Sequence, residues 1–253
     1  MKTIALANQK GGVAKTTTAT ALAEALQANG QRVLLIDTDP QCNASKTYQA
    51  KINGEATLYD VLTDGVPIRD AIQHTYIGDI VPCDPLLAGA DAQLVKIGKE
   101  HLLRKALVGM DNYDAIIIDT TPALGILLIN ALTAANQVIV PLTADTYSVD
   151  GLAALMDTID QIREYTNPRL AVPELLITRW SARTKLSRRC AEELPDIAEQ
   201  FGALVLPVKI RECVAVREAQ EHRTGLLQYA PKSTTAADYL ELAKQLDTSK
   251  NRK

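Results

Sequence analysis

Lys10-Gly11-Gly12-Val13-Ala14-Lys15-Thr16-Thr17 stands between the apolar run Thr3-Ile4-Ala5-Leu6-Ala7-Asn8 and the Ala/Leu-rich stretch from Thr18 to Ala28. The order reads as strand, glycine loop, helix. Such a loop turns several backbone N–H groups toward one point at the positive end of a helix, where an oxyanion is stabilised. Paired Gly11-Gly12 supplies the backbone freedom that this turn needs. A phosphate chain is the expected guest, with Val13, Ala14 and Thr17 completing the cradle. Lys15 reaches the outer phosphates, and the Thr16 hydroxyl is placed to ligate a bridging magnesium ion.

Two further strands end in acids. Val33-Leu34-Leu35-Ile36-Asp37 is a continuous apolar run, as in a parallel strand buried on both faces, and it continues as Thr38-Asp39-Pro40-Gln41. Pro40 stops the strand, which puts Asp37 and Asp39 at the carboxyl edge where open α/β sheets bind ligands. Tyr113-Asp114-Ala115-Ile116-Ile117-Ile118-Asp119 repeats the pattern. Apolar residues before an aspartate, downstream of a phosphate loop, form the Walker B arrangement, in which Asp119 holds a magnesium-bound water. Further strands are expected at Ile77 to Pro82, Gln137 to Pro141, Pro173 to Thr178 and Leu204 to Pro207. Helices are expected over Asp91 to Met110, Ser148 to Glu164 and Thr234 to Leu246, with short turns at 58–62 and 68–72. Strand and helix alternate, so the expected fold is α/β: a doubly wound, mostly parallel sheet with helices on both faces.

The phosphate loop departs from G-x-x-x-x-G-K-[ST], because Gln9 and Ala14 occupy its glycine positions and Lys10 is added at its start. Lys10-Gly11-Gly12 followed by Lys15-Thr16 is the deviant Walker A pattern, and here the chain resembles the ParA/MinD family of P-loop ATPases. The resemblance covers essentially residues 2–247 and takes in Asp37 to Gln41, Leu87-Ala88-Gly89-Ala90 and Gly225 to Ser233. It implies ATP and Mg²⁺ as ligands, with Asp39 orienting the attacking water and Asp37 supporting the magnesium shell. It implies that Lys10 crosses an ATP-sandwich homodimer to the partner's phosphates. It also places Asp145 and Asp150 near the nucleotide and the dimer partner, without a catalytic role. Nucleobase contacts in this family come from loops after the last two strands, which makes Arg179 and Val208 candidates. Thr121 stands where the family has the first proline of D-x-P-P.

Residues 179–189 contain Arg179, Arg183, Lys185, Arg188 and Arg189 and no acid, within a chain of net charge −3. The residues alone read as a solvated helix face. The resemblance makes Arg183, Lys185, Arg188 and Arg189, with Arg211 and Arg217 further on, candidates for nonspecific contacts to double-stranded DNA. Glu212 and Ala215 occupy the positions where the family carries arginine, which implies a displaced or weaker patch.

At 253 residues and 47% hydrophobic composition, the chain is long enough for one domain over residues 1–247, followed by a polar basic tail at 248–253. No run approaches the roughly 18 apolar residues of a membrane span. No signal peptide precedes the first strand, so a soluble, cytosolic protein is expected. Cys42, Cys83, Cys190 and Cys213 lack C-x-x-C spacing and read as reduced, partly buried thiols, with neither zinc nor a disulfide framework indicated. By resemblance, the expected role is plasmid or chromosome segregation with a ParB-class centromere-binding partner, on the nucleoid. One alternative is the same engine positioning a protein cargo. A MinD-like membrane-associated ATPase is disfavoured because the tail has no apolar face. A metabolic amidoligase or an iron-sulfur reductase could share the core, but no cysteine lies between Cys83 and Cys190.

Overall fold

The computed structural model describes residues 1–143 and 149–248. Asp145, the side chain of Asp150 and the tail 249–253 lie outside the described residues. Among the described residues, eight strands form one sheet: β1 (Lys2–Leu6), β2 (Val33–Asp37), β3 (Gln73–His74), β4 (Asp79–Val81), β5 (Ala115–Asp119), β6 (Gln137–Thr143), β7 (Glu174–Trp180) and β8 (Leu204–Arg211). Their order is β3-β4-β2-β5-β1-β6-β7-β8. Every pair is parallel except β3 with β4. This is the expected doubly wound fold. The main helices are α1 (Lys15–Ala28), α2 (Ile126–Ala134), α3 (Val149–Tyr165), α4 (Lys185–Gln200), α5 (Val214–Glu221) and α6 (Thr234–Thr248).

Strand periodicity divides the core into two layers. Ala5, Leu34, Ile36, Ile116 and Ile118 face one side, where residues of α2 and α3 cover them. Ile4, Leu6, Leu35 and Ile117 face the other, against α1 and α6. Alanines 19, 21, 23 and 25 let α1 lie close to the sheet, and Thr18 Oγ1 meets the Tyr239 hydroxyl of α6 at 3.1 Å. Each fully buried Leu or Ile of these layers stabilises the fold by about 1.5–3 kcal/mol. Among the described residues, no helix is long and apolar enough to cross a membrane.

Three local expectations need correction. Residues 91–110 do not form one helix. They break into turns at Ala90–Gln93, Lys99–His101 and Leu102–Ala106, because Gly98 adopts φ 77° and cannot continue a right-handed helix. Ile97, which the apolar spacing would have turned inward, is fully exposed. The strand expected over 77–82 shortens to Asp79–Val81, and β3 adds an antiparallel edge through the turn at Gly78. At the other edge, β7 and β8 run longer than expected, reaching Trp180 and Arg211. Register irregularities after Leu175 and Ile177 keep these two strands paired past the point where the hydrophobic pattern fades.

Candidate phosphate and metal site

The parallel register brings three strand ends to one place. Asp119 of β5 lies opposite Leu6 of β1 on one side and Asp37 of β2 on the other. The chain leaving β1 therefore enters the phosphate loop directly beside both carboxylates. Gly12 (φ 76°) and Ala14 (φ 66°) are both left-handed. For Ala14 that conformation costs about 1–2 kcal/mol. Residue 14 is also the N-cap of α1, which has no side-chain cap and no acid in its first turn. The helix N-terminus thus keeps its unpaired N–H groups and its partial positive charge for a ligand.

Side chains from distant strands fasten the loop. Asn8 Nδ2 donates to the Pro141 carbonyl (2.7 Å), and Asn8 Oδ1 accepts from the Lys10 N–H (2.8 Å). The Thr178 hydroxyl reaches the Val13 carbonyl at 3.1 Å. Gln220 of α5 donates to Thr17 Oγ1 at 2.9 Å. The Thr38 hydroxyl donates to the Asp119 carbonyl and the Thr120 hydroxyl to the Leu6 carbonyl, at 2.8 and 2.6 Å, which ties the three strand ends together.

Three carboxylates collect behind this loop in different states. Asp37 is fully buried and satisfied, accepting from the Asp39 N–H (3.1 Å), the Ser45 N–H (2.8 Å) and the Ser45 hydroxyl (2.7 Å). Asp39 is slightly exposed and accepts the Gln41 N–H at 3.0 Å. Asp119 is also fully buried, and neither of its oxygens is met by a donor in hydrogen-bond geometry. Burial pushes the Asp119 carboxyl well above its ordinary pKa, and the charges of Asp37 and Asp39 add to the rise, while the Thr16 hydroxyl and the Lys15 ammonium oppose it. Asp37 is likewise raised, mainly by burial.

Lys15 is the nearby cation. It is buried, its Nζ donates to the Lys10 carbonyl at 3.3 Å, and burial lowers its pKa against the pull of Asp119 and Asp39. One ammonium facing three acids leaves negative charge uncompensated, and Asp119 offers two buried oxygens without donors. A divalent cation that keeps part of its water shell fits this donor set, and the Thr16 hydroxyl is the neighbouring neutral ligand.

In front of the loop, a cleft of about 720 Å³ is lined by Gly11, Gly12, Ala14, Lys15, Thr16, Thr17 and Asp39. Arg179, Arg211 and Arg217 line it from the β7–β8 side. Asp37, Asp119 and Val13 are buried and do not line it. Val208 is half-buried against the α1–α6 layer and does not line the cleft. Lys10 is exposed at the loop's outer edge.

The basic residues divide into two groups. Arg179 pairs with Glu212 (3.1 Å) in an exposed contact. Arg211 is held by both oxygens of Asp238 and by the Thr234 carbonyl. Arg183, Lys185, Arg188 and Arg189 sit away from the cleft, exposed around the start of α4, with Arg189 paired to Glu193 at 2.6 Å. The residues that sequence reading missed are Asn8, Thr38, Ser45, Thr120, Thr178 and Gln220, all of which position the site without lining a recognisable motif.

The AAA domain family profile matches residues 1–172. The sporulation initiation inhibitor protein Soj of Bacillus subtilis strain 168 is 39% identical over 250 residues, covering 97% of this chain and 98% of Soj. The chromosome partitioning protein ParA of Caulobacter vibrioides is 38% identical over 253 residues, covering 97% and 94%. Among solved structures, cobyrinic acid a,c-diamide synthase from Mycobacterium smegmatis, with bound ADP and magnesium, matches with a TM-score of 0.85 and 34% identity over 100% of this chain and 96% of that one. The loop with its added lysine, the paired carboxylate strands and these full-length likenesses lead to one family: the chain is a member of the ParA/Soj group of deviant Walker A P-loop ATPases.

Proposed function

We propose that this chain is a partition ATPase that binds ATP with Mg²⁺, dimerises on it, binds DNA nonspecifically in that state and drives plasmid or chromosome segregation with a ParB-class partner on the nucleoid. The observation that carries the nucleotide half of the reading is the Asp119 carboxylate, buried and without a donor in hydrogen-bond geometry, behind a left-handed loop that ends at an uncapped helix N-terminus; the segregation half is supported by the likeness to Soj and ParA. When bound, Mg²⁺ neutralises charge on the β- and γ-phosphates. Thr16 and Asp119 would hold it. The N–H groups of residues 11–17 bind the phosphate chain, and Lys15 offsets charge that develops in the transition state. Asp39, at the cleft wall, orients water toward the γ-phosphate. Lys10, exposed at the loop edge, reaches the partner protomer's phosphates in the dimer.

DNA binding by this reading needs charge and reach without base readout, and Arg183, Lys185 and Arg188 supply both. The test is DNA binding by wild type and Lys10→Ala with ATP, ADP or no nucleotide, at low and moderate salt. The expected result is binding by wild type with ATP alone, abolished by salt. ATP-driven dimerisation with no DNA binding in any state would overturn the segregation reading. ATP turnover that requires a small carboxylate substrate instead of DNA would favour a synthase, the activity named for the Mycobacterium smegmatis relative.

A further inference from the structure

Two buried thiols lie behind the loop that carries Asp39, and nothing in the reading above uses them. Cys42 follows Asp39-Pro40-Gln41 and is 1% exposed; Cys83 follows β4 and is 0% exposed. The Cys42 thiol donates to the Pro40 carbonyl at 3.4 Å and to the Cys83 carbonyl at 3.5 Å, which sets its sulfur against the Cys83 residue, while the Cys83 thiol donates to the Asp84 carbonyl at 3.6 Å. Cys42 is held in a left-handed conformation (φ 55°) and its N–H donates to the Asp39 carbonyl at 2.8 Å. The Cys83 N–H donates to Ser45 Oγ at 3.0 Å, and that hydroxyl donates to Asp37. The thiol pair therefore bridges the Asp37–Asp39 loop and the end of β4 from both sides.

We propose that Cys42 and Cys83 form a reversible, oxidant-driven disulfide that locks the Asp39 loop to β4 and switches off ATP turnover. The proposal rests on the ATPase reading above and adds its regulation. The oxidant is a hydroperoxide. Cys42 attacks its terminal oxygen as thiolate, the O–O bond breaks, and the products are a Cys42 sulfenic acid and an alcohol, or water from hydrogen peroxide. Cys83 sulfur then attacks Cys42 sulfur. The S–O bond breaks, and the hydroxide released takes the Cys83 proton and leaves as water. The two thiols lose two electrons and the peroxide gains them. Cys42 is the attacking sulfur because it sits on the loop that follows Asp39, whose opening brings it to solvent, whereas Cys83 is fully buried directly after β4. Burial of both sulfurs makes opening of residues 38–42 the gate, so nucleotide that holds this loop slows oxidation.

The full-length reduced protein is treated with hydrogen peroxide, with and without ATP and Mg²⁺, then alkylated and mapped by peptide mass spectrometry alongside ATP turnover. The expected outcome is a Cys42–Cys83 linkage with two hydrogens lost. Turnover falls by about tenfold to a hundredfold, as for a misplaced water-orienting group, and dithiothreitol restores it. Cys83→Ala, and separately Cys42→Ala, removes the sensitivity. The proposal is overturned if both thiols stay free under conditions that oxidise the more exposed Cys213, or if the linkage forms and turnover is unchanged. Should the reduced protein lack ATP turnover, the ATPase reading fails, and with it the regulatory half of the proposal, while the peptide map still decides whether the disulfide forms.

Discussion

The two halves of the sheet's carboxyl edge treat charge in opposite ways. Under β2 and β5, three carboxylates crowd one ammonium, and one of them, Asp119, is buried without a donor. Under β7 and β8 and at the start of α4, arginines are exposed and several are already answered by acids: Arg179 by Glu212, Arg211 by Asp238 and Arg189 by Glu193. A buried carboxylate without a donor is expensive in its charged form, and a bound cation is what would stabilise that form. An answered surface charge contributes little either way, since exposed pairs are worth about 0–1 kcal/mol. The first half therefore declares its ligand chemistry, and the second conceals it.

The sharpest way to break this contrast is Lys15→Ala, which removes the cation facing the three acids. ATP turnover should fall by about 10²–10³-fold, the usual consequence of losing a preorganised charge at the transferring group. Circular dichroism should show the fold retained. A variant that turns over within tenfold of wild type would mean that the carboxylates and loop do not form a catalytic unit.

A fourth buried acid sharpens the meaning of the unsatisfied one. Glu24 of α1 accepts the N–H groups of Leu227 and Gln228 at 3.0 and 3.3 Å, yet burial still raises its pKa to about 7. Because the folded-state value lies above the unfolded one, folding favours the protonated form. Its contribution is fully present below about pH 4.5 and is lost as pH rises toward about 7, by up to about 3 kcal/mol. Urea unfolding at pH 5 and pH 8 should show Glu24→Gln gaining on wild type by that order at the higher pH. Parallel curves for the two proteins would show that backbone N–H groups alone compensate a buried carboxylate.

The smallest effects separate the two kinds of arginine. Arg211→Ala leaves Asp238 without its partner and should cost about 1–2 kcal/mol of stability. Arg188→Ala, on the exposed face of α4, should leave stability within about 0.5 kcal/mol. If it contacts a phosphate, that change weakens DNA binding a few-fold and lowers the slope of log affinity against log salt by about 0.9. Equal effects on DNA binding from both variants would erase the distinction between structural and free cations.

Much of the first half was legible in sequence because its chemistry is ordered along the chain. A glycine loop after one strand and an aspartate at the end of two others meet wherever the strands are parallel and adjacent, and Lys15, Thr16, Asp37, Asp39 and Asp119 are indeed assembled there. What was not legible depends on single side chains reaching far along the sequence. Asn8, Thr178 and Gln220 carry no local pattern, and a lone hydroxyl or amide is indistinguishable from a surface one until its partner is known. Cys42 and Cys83 are separated by 41 positions and share no spacing rule, yet meet behind the loop. The helix expected over 91–110 failed for the opposite reason: apolar spacing persisted, but a left-handed Gly98 outweighed it. Near Arg179 and Arg211 the hydrophobic run stops, while backbone pairing continues through an irregular register.

The fastenings of the phosphate loop also bear on the chain's biogenesis. Thr120 secures the strand end that feeds the loop, Thr178 holds the loop itself and Gln220 steadies its first helical turn, at separations of 114, 165 and 203 positions. Such contacts close late, since each must wait for a long intervening segment to be made and folded. A nascent or truncated chain has the glycine motif without its supports. A nucleotide that stabilises only the form that binds it would therefore favour chains whose carboxyl-terminal third has docked over those in which it has not.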